Sequence, residues 1–253
     1  RKVRDEGARC RDFVVAARDI EPYSAFLAMA MARYDIPVFL AEKPDLLSRP
    51  PTALVTNALD AVRNHFRYQD LFSCLQTGLS GLDCVAIDNL ENYVLTWNIR
   101  SGAWEREWTE HPDGYGLPID ENAKAQLAEL NILRKRAIAP FSALREALAG
   151  EQPAGDCVRA LYAFLLAVDA PQRMTDRAAG HEQAGRLQLA DEYRQLWEIL
   201  VSAMEQFAWV CGDMPLTLDR FAQLFRLVLG EYDVGTIPVS LDRVTCGNIE
   251  RAC

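Results

Sequence analysis

Strand-like patterns lie only near the two ends of this chain, and helical periodicity fills almost everything between them. Residues 13–17 and 36–40 are short, continuous apolar runs, as in strands that are buried on both faces of a parallel sheet. Residues 22–33 favour a helix, so the chain opens with a strand–helix–strand unit. Near the other end, residues 239–246 favour an extended strand, because Val244 and Thr245 are β-branched.

From about residue 43 to residue 232 the pattern is helical almost throughout. The clearest segment is 187–211, where apolar residues recur every three or four positions on one face and Gly212 follows as a stop signal. We predict further helices over residues 52–66, 69–77, 84–98, 121–149, 155–168 and 218–230. Pro140 is expected to kink or split the long one, because proline lacks a donor and clashes with the preceding turn.

These patterns predict a mainly α fold, with an all-helical block inserted between short strand-bearing ends. We place the first strand-bearing part at residues 1–44, the helical insertion at residues 45–235 and the return strand at residues 236–253. In such an arrangement the two ends meet in one parallel sheet. The strands near residues 13 and 244 are therefore expected to lie in the same sheet.

The composition argues against several classes of protein. The net charge of −9 makes the chain a poor candidate for gripping nucleic acid over its whole surface, since lysine and arginine must replace counterions there. The longest apolar runs, 26–32 and 161–168, are too short to cross a bilayer, so no membrane partner is expected. Seven cysteines without a CxxC pair fit a reducing cytoplasm, and with three histidines they predict no metal site. Because the first residue is Arg1, we expect a piece of a longer protein.

No complete catalytic motif is present in the sequence. The phosphate loop GxxxxGK[ST], the dinucleotide motif GxGxxG, the nucleophile elbow GxSxG and the zinc motif HExxH are all missing. We therefore predict no catalytic residue in this chain and expect it to be inactive when isolated.

Three groups of residues have both a functional and a structural interpretation. An acidic loop can form a metal or general-acid site, but turn-rich loops collect such residues anyway, and we favour a solvated loop for Glu105, Glu107, Glu110, His111 and Asp113. A basic triplet can contact DNA, but we favour a solvated helix face for Arg134, Lys135 and Arg136. Aromatic residues at helical spacing can stack on bases, but we favour core packing for Tyr193, Trp197, Phe207 and Trp209.

Three stretches together resemble a known family. The first is DFVVAARDIEPY at residues 12–23, continued by YDIPVF at residues 34–39. The second is YQDLF and LQTGL within residues 68–79, followed by IDNLENYVLTWNI at residues 87–99 and by Trp104. The third is LDRVTCGNIER at residues 241–251. In order and spacing they resemble the AddB-type subunit of the bacterial AddAB ATP-dependent helicase/deoxyribonuclease, which is superfamily 1 helicase-like.

The resemblance implies a place for each part of the chain. Superfamily 1 motors have two RecA-like subdomains, and an all-helical insertion interrupts the second. Residues 12–40 resemble the start of that second subdomain, residues from about 45 to 235 resemble its helical insertion, and the tail from about 236 resembles the return into the motor sheet. The strand-bearing ends would then be part of an incomplete RecA-like α/β subdomain.

The same resemblance suggests three contact residues. Arg18 follows the first strand, where such helicases often place an arginine that senses the terminal phosphate of the nucleotide. Asn248 and Arg251 lie where the second motor subdomain approaches the DNA backbone. The structural alternative for Arg18 is a surface arginine beside Asp19.

The function implied is that of a non-catalytic accessory region in an ATP-dependent DNA helicase/exonuclease subunit, which processes double-strand ends for recombination and repair. ATP with Mg and an iron–sulfur cluster would be cofactors of the parent protein and none would bind within this chain. DNA and an AddA-type helicase/nuclease subunit would be the partners, in the cytoplasm. Two alternatives remain: a free-standing all-α interaction module without a DNA link, and a small hydrolase that uses the 105–113 loop.

Overall fold

The computed structural model describes residues 7–40, 46–232 and 242–249. The chain divides into two compact units, one of residues 1–44 with 233–253 and the other of residues 45–232. The described residues form five strands and nine α-helices, which we number along the chain as β1–β5 and α1–α9. The predicted mainly α fold is confirmed.

The first unit contains a three-stranded parallel sheet built from both ends of the chain. Its strands are β1 (Val14–Ala17), β2 (Val38–Leu40) and β5 (Val244–Asn248). The order is β1-β5-β2, so the strand that comes last in the sequence lies in the middle of the sheet. The expected meeting of the strands near residues 13 and 244 is thus confirmed, with Val14 paired to Thr245. Residues 239–241 of the predicted strand lie outside the described residues.

One face of this sheet carries a small apolar core. Ile20, Val244 and Cys246 are buried, and the helix α1 (Ser24–Arg33) contributes Leu27 and Met31 to the packing around them. Phe26 and Ala30 of the same helix are exposed, as is Tyr23 just before it.

The second unit is a helical block. Its helices are α2 (Pro50–Arg63), α3 (Tyr68–Leu75), α4 (Cys84–Trp97), α5 (Glu121–Ala147), α6 (Ala154–Ala167), α7 (Ala170–Gln183), α8 (Leu187–Cys211) and α9 (Leu218–Gly230). The predicted apolar face of α8 is confirmed at its centre, where Leu196, Leu200, Met204 and Phe207 are buried. Among the described residues no helix is both long enough and apolar enough to span a membrane.

Helix α7 has no counterpart among the helices predicted from the sequence. This helix is strongly polar, and its buried residues are only Ala170, Met174 and Ala178. They recur every four residues, which places one narrow stripe against the neighbouring helices. Two of the three are alanines, so the apolar signal in the sequence is weak.

The helix α5 runs through Pro140 without interruption, so the predicted split is wrong, while the alternative of a kink stays a prediction. Proline removes one hydrogen bond inside a helix. Here the residues on either side hold the helix in place, since Ala137, Ile138, Phe141 and Leu144 are all buried in the core. Tertiary packing therefore outweighs the local preference at this position.

A short antiparallel ribbon, also not predicted, joins α6 to the end of α8. It pairs β3 (Glu151–Pro153) with β4 (Pro215–Thr217). The amide of Gly155 donates to the carbonyl of Gly212 at 2.9 Å. Helix α8 ends at Cys211 as predicted, but Gly212 keeps a right-handed conformation with φ of −39°. Glycine is required there for another reason, because a Cβ atom would lie 2.6 Å from the carbonyl oxygen of Ala208.

The end of α2 has a left-handed residue that is not glycine. His65 has φ of 54°, its amide donates to the carbonyl of Val62, and the amide of Phe66 donates to the carbonyl of Ala61. This is the Schellman pattern, whose left-handed position favours glycine. Phe66 also has a positive φ, and its fully buried side chain fixes the turn.

Replacing His65 with glycine is therefore expected to raise the free energy of unfolding of the helical unit by about 0.5–1 kcal/mol. Urea denaturation of the two chains measures the difference. Asn64, the preceding residue, has φ of −92°, so Asn64→Gly serves as the control and is expected to destabilise. A His65→Gly chain that is less stable than the unmodified chain would contradict this account of the turn.

Candidate functional site

Two of the three predicted contact residues, Arg18 and Asn248, lie at the carboxyl edge of the parallel sheet. Asn248 is the last residue of β5 and pairs with Ala17, the last residue of β1. Arg18 follows Ala17 directly, so Arg18 and Asn248 lie at the same edge. In open α/β sheets ligands bind at the carboxyl ends of the strands. The two residues thus lie at the edge where a ligand of such a sheet would bind.

Arg18 has an exposed side chain, whereas Asn248 is half-buried. The side-chain oxygen of Asn248 accepts a hydrogen bond from the backbone amide of Ile20 at 2.8 Å. This contact ties the loop that follows β1 to the end of β5, and the sequence analysis did not foresee it. Because the side-chain oxygen of Asn248 already accepts this hydrogen bond, a contact from Asn248 to a phosphate would use its side-chain nitrogen. The third predicted residue, Arg251, lies outside the described residues.

Asn248→Ala is expected to lower the free energy of unfolding of the sheet unit by about 1 kcal/mol, because the buried amide of Ile20 loses its acceptor. Asn248→Asp keeps an acceptor oxygen at the same position and is expected to stay close to the unmodified chain. Amide hydrogen exchange at Ile20 and along β1 measures both. Equal exchange in the alanine and aspartate chains would contradict a role for this oxygen.

The acidic loop at 105–113 does not assemble a metal site in the described residues. Nowhere in that part of the chain do three or more His, Cys, Asp or Glu side chains gather as a metal would require. Glu105 instead accepts hydrogen bonds from Ser142 at 2.9 Å and from Arg145 at 2.5 Å. Partial desolvation acts to raise the pKa of Glu105, but these two partners outweigh it and lower the pKa below its usual value.

The remaining polar groups of this loop hold it against α4. The ring nitrogen Nδ1 of His111 accepts from the amide of Asp113 at 3.0 Å, and the carbonyl of His111 accepts from Trp97 at 3.0 Å. The hydroxyl of Tyr93 bonds to the backbone of Glu110. The loop is thus fixed by structural contacts. The favoured interpretation is a solvated loop, and its four carboxylates are indeed exposed: Glu105, Glu107, Glu110 and Asp113.

Arg134 does not lie on a solvated helix face, and that prediction is wrong for this residue. Its side chain is buried, with the whole residue 2% exposed. The guanidinium donates to the carbonyl of Trp104 at 2.6 Å and to the side-chain oxygen of Asn131 at 3.0 Å, and it lies 5.9 Å from the ring centre of Trp108. Arg134 therefore fixes the irregular segment around Trp104 to helix α5. Lys135 and Arg136 are exposed as predicted.

The four aromatic residues of α8 are not all in the core. Phe207 is buried and Tyr193 and Trp197 are half-buried, but Trp209 is 87% exposed. Phe207 and Trp209 are two residues apart, which places them on opposite sides of a helix. The prediction of core packing is therefore wrong for Trp209.

The cysteines of the described residues are free thiols that do not gather into a ligand set. Burial raises the pKa of the Cys74, Cys157 and Cys246 thiols, so they stay protonated. They pack as small apolar side chains, while Cys84 is exposed and Cys253 lies outside the described residues. These residues do not fit an iron–sulfur cluster.

The fold defines a class of protein in which a parallel α/β sheet is interrupted by a large helical insertion. No protein-family model matches the chain. Its sequence is 33% identical over 257 aligned residues to the B-type subunit of the ATP-dependent helicase/deoxyribonuclease of Acetivibrio thermocellus, covering 100% of this chain and 22% of that protein. The proteins of the same name from Ruminiclostridium cellulolyticum and Clostridioides difficile are 32% and 31% identical, over 99% and 98% of the chain.

The resemblance to the AddB-type subunit is therefore confirmed: the chain is homologous over its whole length to part of such a subunit. It spans 22% of the length of each of these three relatives.

Proposed function

We propose that this chain is a non-catalytic accessory region of an ATP-dependent DNA helicase/exonuclease subunit. The parent protein would process double-strand DNA ends for recombination and repair in the cytoplasm, together with an AddA-type helicase/nuclease subunit. In this proposal the sheet unit is one edge of the second RecA-like motor subdomain. The helical unit is the insertion that interrupts it.

One observation carries the proposal. The chain forms β1 and β2 first, then the helical unit, and finally β5, which lies between β1 and β2. The helical unit is therefore inserted between strands of a single parallel sheet. A free-standing all-α module gives no reason for this arrangement. The names of the relatives and the match along the whole chain point the same way.

Nucleotide chemistry would depend on other parts of the parent protein. A P-loop motor binds ATP with Mg through the phosphate loop GxxxxGK[ST], which this sequence lacks. Arg18 would contribute a guanidinium that stabilises charge on the terminal phosphate from the edge of the sheet. Asn248 and Arg251 would approach the DNA backbone from the same end of β5. An iron–sulfur cluster would have to be held elsewhere, since the described cysteines do not fit one.

A chimera tests this proposal. The matching segment of the Acetivibrio thermocellus relative is replaced by this chain, and ATP-dependent degradation of linear duplex DNA is measured with the natural partner of that relative present. We expect the chimera to retain degradation, and the isolated 253-residue chain to show neither ATPase nor nuclease turnover. Robust turnover by the isolated chain would contradict the accessory role. So would a chimera that assembles with its partner but no longer degrades DNA.

A further inference from the structure

A cleft in the helical unit is lined by positive and neutral polar side chains. It lies where α2 ends, α3 begins and the chain turns after α4, and its volume is about 520 Å³. Arg67 and Arg100 stand in its lining together with His65, Tyr68, Gln69 and Ser101. The lining contains no carboxylate, although the whole chain is acidic. A second cleft of the same unit, against α4 and α5, is lined instead by Asp113 and Glu129 among amides.

The carboxylates nearest in sequence are already held by other donors. Asp70, in the first turn of α3, accepts from the side chain of Asn64 at 2.7 Å. Glu91 of α4 accepts from the hydroxyl of Tyr68 at 2.6 Å and from the side chain of Gln76. Neither carboxylate stands in the lining, so Arg67 and Arg100 are its charged residues.

Both arginines can reach a ligand. Arg67 and Arg100 are exposed, and within the described part of the chain neither forms an ion pair. Arg100 donates from Nε to the side-chain oxygen of Asn98 at 2.8 Å, which orients the side chain and leaves its two terminal nitrogens as donors. A guanidinium with paired terminal N–H groups matches the oxygens of a phosphate.

The backbone adds to the positive potential of the cleft. Helix α3 starts after Arg67, and no side chain caps its first amides. A helix N-terminus carries a partial positive charge and free N–H groups, which favours anions. The charge on Arg67 and Arg100 nevertheless remains the larger contribution.

We propose that this cleft binds a phosphodiester group of a nucleic-acid strand. The proposal rests on the proposed function, which brings DNA to the parent protein, and adds a contact within the helical insertion. The cleft is open and larger than one phosphate needs, which suits a group carried on a continuous strand. Because the chain is acidic overall, binding is weak and falls steeply with salt.

The test uses the full 253-residue chain and fluorescence anisotropy of a labelled strand of about 20 nucleotides, single or duplex, at several salt concentrations. We expect Arg67→Gln/Arg100→Gln to raise Kd roughly tenfold and to lower the salt slope by about one for each arginine. Arg67→Lys/Arg100→Lys keeps the charge and is expected to restore much of the affinity. The control Lys124→Gln/Lys135→Gln removes the same charge from exposed positions on α5 and should leave Kd within about twofold. Circular dichroism melting confirms that each variant is folded.

Three results overturn the proposal. The first is no measurable DNA binding by the folded chain, and the second is an equal loss of DNA affinity in the Lys124→Gln/Lys135→Gln control. The third is that the arginine changes weaken the binding of inorganic phosphate or ATP but leave the Kd for DNA unchanged. The last would mean that the cleft binds a free anion. None of these results changes the outcome expected of the chimera, which measures DNA degradation. A failure of the proposed cleft can therefore be distinguished from a failure of the proposed function.

Discussion

Replacing Arg134 with methionine is expected to lower the free energy of unfolding of the helical unit by about 3 kcal/mol. Methionine fills much of the volume but cannot donate, so the carbonyl of Trp104 and the side chain of Asn131 lose a buried charged partner. An unsatisfied buried polar group costs about 1–3 kcal/mol. The cation–π contact with Trp108 is lost as well. Burial lowers the pKa of Arg134 and the charge of Glu107 opposes this, which agrees with a cation held in a mostly apolar site.

Lys135→Met is the matched control, since Lys135 is the next residue of α5 and its side chain is exposed. A surface change of this kind is expected to stay within about 0.5 kcal/mol. Urea denaturation followed by tryptophan fluorescence measures both variants. Equal stability of the Arg134→Met and Lys135→Met chains would show that Arg134 does not hold the segment around Trp104.

Replacing Cys246 with aspartate is expected to unfold the sheet unit and leave the helical unit folded. Cys246 is fully buried in the central strand, in contact with the core of Ile20 and Val244. Placing an unpaired carboxylate there costs about 3 kcal/mol or more. A sheet of three short strands has little stability to lose. Because the helices α2–α9 belong to the other compact unit, their protection is expected to be unchanged.

The neighbouring residue provides the control for this change. Thr245 lies on the same strand with its side chain exposed, because successive side chains point to opposite faces. Thr245→Asp is expected to cost less than about 1 kcal/mol and to leave the sheet folded. Amide hydrogen exchange resolves β1, β2 and the helices separately. Retention of β1 protection in the Cys246→Asp chain would contradict a central position for β5.

The main elements of this fold can be predicted from the sequence because each has a local signal. The continuous apolar runs of the ends and the periodicity of 187–211 specify strand and helix directly. The strand order β1-β5-β2 cannot be predicted from local sequence patterns, because it depends on which distant strands pair. That the ends share one sheet could be expected only from the strand-bearing ends and their resemblance to a known insertion arrangement.

The errors have two physical origins. Arg134 was expected on the surface because a basic triplet usually is, but its position is determined by Trp104, thirty residues earlier in the chain. Trp209 was expected in the core because it is aromatic, although its spacing from Phe207 already placed it on the other side of the helix. Pro140 continues a helix because tertiary contacts hold both sides of it. For Arg134 and Pro140, packing between distant segments decides the outcome, whereas for Trp209 the spacing along the helix does.

One candidate site could be predicted from the sequence and the other could not. Arg18 and Asn248 became candidates through the family resemblance, and the pairing of β1 with β5 places them at the same edge of the sheet. The cleft at Arg67 and Arg100 could not be predicted, because those residues are separated along the chain and belong to no motif. The turn at His65 and the end of α4 bring them together.

The central claim is that the two ends of the chain form one parallel sheet with the final strand in the middle. Nuclear Overhauser contacts between backbone protons of the isotope-labelled chain test it most directly. The account predicts contacts from Thr245–Asn248 to Val14–Ala17 on one side, and from Val244–Cys246 to Val38–Leu40 on the other. Contacts between β1 and β2 without β5, or an end of the chain that contacts neither, would contradict it.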